Sequence, residues 1–208
     1  MNVLIEGYKN KMYDFFRWRT ETSFVYKLIM CCTFACFTGL MAQVRFYLPF
    51  TPVPLTGQTF AVLFSALILG RYYGALSQTI YAGLGFAGVP WFAGYSGGIG
   101  VLLGPTGGYI IGFILAALFI GWVVDSNLKI RSLPGMLGLM LFADIGLILI
   151  PGTLWLYIWL NTFYPAGIWE AMLMGFIPFV AGDAVKAFAA GTAGRLIIPK
   201  TAYIGLNS

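Results

Sequence analysis

The chain has 208 residues, of which 60% are hydrophobic and 9% charged, and its mean hydropathy is +0.86. A soluble domain carries about 25% charged residues, so this composition excludes a chain whose whole surface faces water and predicts an all-α integral membrane protein. The net charge of +5 does not indicate a nucleic-acid-binding protein, because the basic residues stand between apolar runs instead of clustering on one soluble face.

Residues 1–23 are the most polar stretch, and they predict a cytoplasmic N-terminal tail or an amphipathic surface helix. Residues 24–198 predict a single membrane domain, and residues 199–208 a short cytoplasmic C-terminal tail. Within the membrane domain the apolar runs predict six transmembrane helices. They lie at about 24–47, 57–70, 73–87, 107–124, 135–160 and 180–198, with a half-helix from about 167 to Pro178 before the last one. The second and third helices are short for a bilayer, at about 20 Å each.

The basic residues give this arrangement an orientation. Ten of them fall on one side of a six-helix bundle, namely Lys9, Lys11, Arg17, Arg19, Lys27, Arg71, Lys129, Arg131, Arg195 and Lys200. Arg45 falls on the other side, and Lys186 falls within the membrane. Because Lys and Arg concentrate in cytoplasmic loops, we expect a multi-pass protein of a bacterial-type plasma (inner) membrane with both termini in the cytoplasm.

A proline-rich segment joins the first two predicted helices. Three prolines in six residues fix an extended backbone, which is consistent with a stiff connector or with a preshaped lid over a pocket. The candidate lid residues are Thr51, Pro52, Val53, Pro54, Thr56 and Gln58.

A glycine-rich loop is predicted between the third and fourth helices. Residues 83–112 contain eleven glycines interleaved with apolar residues, which indicates a re-entrant or outer-face loop pressed against the bundle. Thr106 and Gly107 begin the fourth helix, where free backbone N–H groups attract anions. Tight packing alone is the alternative explanation.

Charged residues inside apolar runs are candidates for a binding site. Asp183 and Lys186 are three residues apart and therefore share a helix face. They predict a site for a polar, carboxylate-bearing ligand, in which Lys186 binds the carboxylate and Asp183 accepts N–H groups, or else a structural ion pair. Asp144 is interpreted as a structural residue near the start of the fifth helix, close to Arg131.

Small residues in the first helix form a stripe. Cys31, Ala35 and Gly39 are four residues apart, a spacing that lets another helix approach closely. The stripe predicts a contact within the bundle or the docking of a separate membrane subunit.

Together these segments resemble the BioY family, the substrate-binding S components of energy-coupling factor (ECF) transporters. The matching stretches are Pro52-Val53-Pro54-Leu55-Thr56-Gly57-Gln58-Thr59, Gly74-Ala75-Leu76-Ser77-Gln78, Gly88-Val89-Pro90, Phe92-Ala93-Gly94, Ser96-Gly97-Gly98-Ile99-Gly100, Gly104-Pro105-Thr106-Gly107-Gly108-Tyr109, Leu154-Trp155-Leu156, and Pro178-Phe179 followed by Gly182-Asp183 and Lys186. The resemblance covers residues from about 30 to 198 and depends on the order and spacing of these stretches.

The resemblance implies a six-helix S-component fold that captures biotin on its outer face and takes it up across the membrane. Asp183 would accept the ureido N–H groups, Lys186 would supply a positive charge, and the Thr106 hydroxyl with the backbone amide of Gly107 would add polar contacts. The wall of the pocket would come from Tyr95, Trp91 and Trp155. The family also implies a transmembrane T subunit and two ATP-binding subunits as partners, although some members act alone.

The ligands and partners expected of this chain are therefore biotin and membrane lipid, with no nucleic acid. The sequence has no histidine and lacks the Gly-x-x-x-x-Gly-Lys-Ser/Thr nucleotide motif, so no metal, no cofactor and no enzyme activity are predicted, and ATP is expected only on the partners. An ion-coupled secondary carrier for another small carboxylate-bearing vitamin, with a relay through Asp144, Asp183 and Lys186, remains the alternative.

Overall fold

The computed structural model describes residues 2–199, which are helical almost throughout with a single two-stranded sheet. The predicted C-terminal tail, apart from residue 199, lies outside the described residues. The elements are α1 (Asn2–Glu21), α2 (Phe24–Gln43), β1 (Arg45–Phe46), β2 (Leu55–Thr56), α3 (Gln58–Phe86), α4 (Ile99–Leu102), α5 (Gly107–Ser126), α6 (Leu133–Ala143), α7 (Ile150–Leu160), α8 (Ile168–Gly175) and α9 (Ile177–Ile197). A 3-10 turn, Leu128–Arg131, precedes α6, and a π-helical turn, Asp144–Leu149, joins α6 to α7.

Within the described residues, five stretches are long and apolar enough to cross a membrane. They are Phe24–Gln43, Gln58–Phe86, Gly107–Ser126, Leu133–Leu160 and Ile168–Ile197. The second stretch is a hairpin of two helices, and the last is divided into two helices. The stretches therefore form six membrane segments, in agreement with the predicted six-helix fold, and the division of the last segment agrees with the predicted half-helix before Pro178.

Gly70 turns α3 back on itself. Its φ of 77° and ψ of −169° lie outside the helical region, and only glycine adopts such angles at little cost. The Gln58 amide donates a hydrogen bond of 2.6 Å to the Tyr81 hydroxyl, although these residues would be about 35 Å apart in a straight helix. Residues 58–69 and 71–86 are therefore two short antiparallel helices, as the sequence predicts.

The last membrane segment divides at Phe176, whose φ of −122° and ψ of −63° separate α8 from α9. Pro178 lies in the first turn of α9, where its missing N–H leaves no helical hydrogen bond unmade. The predicted half-helix before Pro178 is confirmed.

Helix α1 packs across the end of the bundle at which Gly70 lies. Phe16 is buried between two guanidinium groups, with Arg19 4.1 Å and Arg131 5.0 Å from its ring centre. Arg19 donates to Asp125 at 2.6 Å, and Arg131 donates to the carbonyl oxygen of Pro199 at 3.1 Å. Of the two interpretations of residues 1–23, the described part forms a surface helix, and both ends of the described chain lie at this end of the bundle.

The glycine-rich loop packs against the opposite end. Phe92 is 1% exposed and meets Tyr81 edge-on, with the ring centres 5.2 Å apart. A Cβ atom at Gly85 would lie 2.1 Å from the Phe92 ring, so glycine is required there for the loop to approach α3. The loop is therefore pressed against the bundle, as predicted.

Candidate binding site

A cavity of about 310 Å³ lies at the end of the bundle opposite α1. Its walls come from the proline-rich segment, both arms of α3, the glycine-rich loop, α5, the π-helical turn and α9. Small-molecule pockets measure about 300–1,000 Å³ and combine an apolar lining with a few polar groups. The cavity therefore has the size and the composition of a site for a small ligand.

One side of the cavity carries a buried ion pair. Asp183 and Lys186, one turn apart on α9, form a salt bridge, and their side chains are 3% and 19% exposed. Lys186 also donates a hydrogen bond of 2.8 Å to the carbonyl oxygen of Thr56 in the proline-rich segment. The pair thus joins α9 to that segment and presents an acceptor and a donor to the cavity.

Neutral polar groups extend from this pair. The Gln58 amide accepts a hydrogen bond of 2.9 Å from the Thr56 hydroxyl and donates to the hydroxyl of Tyr81. The side chains of Thr106 and Ser96 add hydroxyl groups from the glycine-rich loop. The hydrogen bonds among Thr56, Gln58 and Tyr81 hold Gln58 and Tyr81 in fixed orientations at the cavity surface.

Six aromatic rings are part of the remaining wall. They belong to Tyr47, Tyr81, Phe92, Tyr109, Phe113 and Phe179. Tyr109 is fixed by a 2.7 Å hydrogen bond from its hydroxyl to the carbonyl oxygen of Gly175, and its ring centre lies 6.2 Å from that of Phe179. A flat, partly apolar ligand can pack against such rings.

Several site residues predicted from the sequence lie together in this cavity. Asp183, Lys186 and Thr106 line it, as do five residues of the proposed lid, Pro52, Val53, Pro54, Thr56 and Gln58. Thr51 lies behind the lining, where its hydroxyl donates to the carbonyl oxygen of Met174 at 2.6 Å and accepts from the Val53 backbone at 3.1 Å. The proline-rich segment therefore covers the cavity and is tied to α8.

Four other predicted residues lie outside the lining. Trp91 packs behind Tyr81 and donates from its indole to that residue's carbonyl oxygen at 3.0 Å. Trp155 donates to the carbonyl oxygen of Gly104 at 2.9 Å and lies beside Gly107, which is also outside the lining. Tyr95 is 69% exposed. The two tryptophans support the aromatic wall from behind instead of forming it.

The aromatic residues that do form the wall were missed. Tyr81, Tyr109 and Phe179 lie in predominantly apolar helices that have apolar residues on every side, so hydrophobic periodicity does not distinguish the cavity side from the lipid side. The available signal was the hydroxyl group of Tyr81 and of Tyr109, because a phenol within an apolar helix needs a hydrogen-bond partner.

The stripe of small residues in α2 packs inside the chain. Cys31 and Ala35 are 0% exposed, and Gly39 is also buried. The Cys31 thiol donates to the carbonyl oxygen of Tyr73 at 3.3 Å, and a Cβ atom at Gly39 would lie 3.1 Å from the Trp91 side chain. Because α3 and the glycine-rich loop already cover these residues, the structure corrects the expectation that they present a docking surface to another subunit.

Asp144 also differs from its predicted position. The segment Leu133–Leu160 is continuous, so Asp144 begins the π-helical turn in the middle of that segment and not near its start. Its side chain is 0% exposed, and neither carboxylate oxygen has a hydrogen-bond partner among the described residues. Arg131 is not its partner, because Arg131 is bound to carbonyl oxygens at the α1 end.

Comparisons with known proteins match most of the chain. The family model described as the BioY family matches residues 12–202. A "Probable biotin transporter BioY" of Methanothermobacter thermautotrophicus is 52% identical over 141 residues, which cover 67% of this chain and 90% of the relative. The "Biotin transporter BioY" of Thermotoga maritima is 38% identical over 145 residues, covering 69% and 79% of the two chains.

A solved structure has the same fold. It is a crystal structure of the S-component for biotin from an ECF-type ABC transporter, with a TM-score of 0.74 and 25% sequence identity. The match covers 82% of this chain and 89% of the solved chain. The cavity described above therefore lies within a fold that is shared along most of both chains.

Proposed function

We propose that the cavity binds biotin and that this chain, which belongs to the BioY family, serves biotin uptake across a plasma membrane. The relatives named above are biotin transporters, and the solved structure of this fold is an S-component for biotin. The chain is a multi-pass membrane protein whose cavity, described above, has the size of a small-molecule site.

The cavity offers the groups that biotin requires. Biotin carries a ureido ring with two N–H donors and a carbonyl acceptor, a fused thioether ring, and a valerate chain that ends in a carboxylate. Asp183 can accept N–H groups, Lys186 can donate to an oxygen, and Thr106 and Gln58 supply further polar contacts. The fused rings would pack against the wall of Tyr81, Tyr109 and Phe179.

The buried ion pair of Asp183 and Lys186 carries this proposal. Charged side chains cost about 2.5–3.5 kcal/mol each at the centre of a membrane helix on insertion scales. Within this fold the pair is turned toward the cavity and not toward lipid. Intramembrane charges that face a cavity typically mark a substrate path.

The proposed orientation follows from the basic residues. The α1 end of the bundle contains Arg19, Arg71, Lys129 and Arg131, whereas Arg45 lies at the cavity end. We place the α1 end in the cytoplasm, because Lys and Arg concentrate in cytoplasmic loops. Both termini would then be cytoplasmic, and the cavity would receive biotin from outside.

The chain is proposed to work as the substrate-specific subunit of an ECF transporter, with a transmembrane T subunit and two ATP-binding subunits, or as a solitary transporter. ATP hydrolysis is assigned to the partners, because this sequence has no Gly-x-x-x-x-Gly-Lys-Ser/Thr motif. No catalysis and no cofactor are assigned to this chain.

Calorimetry on the full chain in detergent tests the proposal, with lipoate and thiamine as control ligands. Biotin is expected to bind selectively, and Asp183→Asn is expected to weaken that binding while Lys129→Gln, an exposed change at the α1 end, leaves it unchanged. If folded wild-type protein does not bind biotin, or if Asp183→Asn binds as well as wild type, the proposed substrate or the proposed site is wrong.

A further inference from the structure

Arg45 lies at the rim of the cavity, between the two outer loops. Its guanidinium carbon is 5.6 Å from the ring centres of both Tyr47 and Tyr95. Tyr47 lines the cavity. The guanidinium also lies against the glycine-rich loop, since a Cβ atom at Gly94 would be 3.8 Å from its carbon and 3.0 Å from the Tyr47 hydroxyl. The charge is thus held beside the mouth by two aromatic rings.

Among the described residues, no carboxylate forms a salt bridge with Arg45. Within residues 2–199 the salt bridges join Arg17 to Glu21, Arg19 to Asp125 and Lys186 to Asp183, and none of them includes Arg45. A guanidinium has five N–H donors, and the described contact is one hydrogen bond of 2.9 Å to the Gln43 side chain. Several donors therefore remain for an anion at the mouth.

Lys186, which lines the cavity, already has partners for its charge. Lys186 forms its salt bridge with Asp183 and donates to the carbonyl oxygen of Thr56. A ligand carboxylate placed beside Lys186 would also lie next to Asp183. Like charges repel strongly where water is scarce, so the inner side of the cavity favours a neutral hydrogen-bonding group over an anion.

We propose that Arg45 recognises the carboxylate of the ligand at the cavity mouth, with the neutral ring end of the ligand directed toward Asp183 and Lys186. This inference rests on the proposed function and specifies which end of biotin meets which charge. The carboxylate would stay near water, and the planar guanidinium can bind both of its oxygens.

The test compares biotin with biotinamide, in which the carboxylate is replaced by a neutral amide. Wild-type protein is expected to bind biotin at least about tenfold more tightly than biotinamide, because the carboxylate forms a charge-assisted hydrogen bond that the neutral amide lacks. In Arg45→Gln the preference is expected to disappear, because biotin binding weakens to the level of biotinamide. Arg45→Lys is expected to retain part of the preference, and Lys129→Gln all of it.

Biotinamide serves as the folding control, because binding of biotinamide by Arg45→Gln would show that this variant is folded. Equal loss of both ligands in Arg45→Gln would overturn the proposal, because it would show that Arg45 shapes the loops instead of binding the carboxylate. A full preference for biotin in Arg45→Gln would overturn it as well. If wild-type protein binds neither ligand, the proposed function itself fails, which separates that failure from failure of the role of Arg45.

Discussion

Lys186 donates a hydrogen bond to the backbone carbonyl oxygen of Thr56 across 2.8 Å, while the same ammonium group pairs with Asp183. One side chain therefore links the ion pair to the segment that covers the cavity. Removing it has two separable consequences, one for the stability of the protein and one for binding.

Lys186→Met leaves the buried Asp183 without its counter-ion. Breaking a buried pair from one side costs about 3–5 kcal/mol, so we expect a large drop in melting temperature in detergent and loss of biotin binding. The double variant Asp183→Asn with Lys186→Met removes both charges and is expected to recover much of the stability but none of the binding. Wild-type affinity in the double variant would contradict the assigned role of the pair.

Thr51→Val tests the tie between the lid and α8. The substitution keeps the shape of the side chain but removes the hydrogen bonds to Met174 and Val53. We expect biotin to dissociate about tenfold faster, in line with the loss of one or two hydrogen bonds, as measured by release of labelled ligand. Thr33→Val is the matched control, because Thr33 is exposed and its hydroxyl donates to the carbonyl oxygen of Ile29 in its own helix. Equal release rates in wild type and Thr51→Val would show that Thr51 does not help to keep the cavity closed.

Gly70→Ala tests the hairpin turn of α3. An alanine at φ 77° is strained, and its Cβ atom would lie 2.7 Å from Asp125. We expect destabilisation of about 1–3 kcal/mol, seen as a lower melting temperature.

Gly83→Ala is the control for that prediction, because it lies in the same element with no atom within 4 Å of the added Cβ. Alanine favours the helix over glycine by about 1 kcal/mol, so its melting temperature is expected to stay equal or rise. A neutral Gly70→Ala would show that the turn tolerates a side chain.

Asp144→Asn distinguishes ATP-driven or facilitated uptake from an ion-coupled carrier. A buried carboxylate without partners is costly, so a neutral isostere is expected to fold at least as stably and to retain biotin binding. Uptake would be measured in liposomes without ATP-binding subunits, with and without an imposed pH gradient. Uptake that the gradient drives in wild type and that Asp144→Asn abolishes would support the ion-coupled alternative.

The sequence predicted features that depend on strong local signals. Apolar runs located the membrane segments, Pro178 marked the division of the last one, and three closely spaced prolines identified the segment over the cavity. Asp183 and Lys186 stood out because charges are rare in such helices.

The side of each helix that faces the cavity was harder to predict. Trp91 and Trp155 were expected in the pocket wall, but both lie one layer behind it. In helices that are apolar on every side, composition does not identify the face toward the cavity. Asp144 was expected near the start of the fifth helix but begins a π-helical turn in the middle of the segment Leu133–Leu160. No feature of the sequence marked that turn.

Because α1 packs across one end of the bundle, it also determines where a fluorescent label that detects ligand binding should be attached. Tyr8 donates to the carbonyl oxygen of Leu196, so the first and last helices meet at one end and the ligand mouth lies at the other. A dye attached near Tyr8 would lie far from the mouth and report poorly on its occupancy. A dye on the loop between β1 and β2, for instance at Phe50, which is 54% exposed, would follow ligand entry directly.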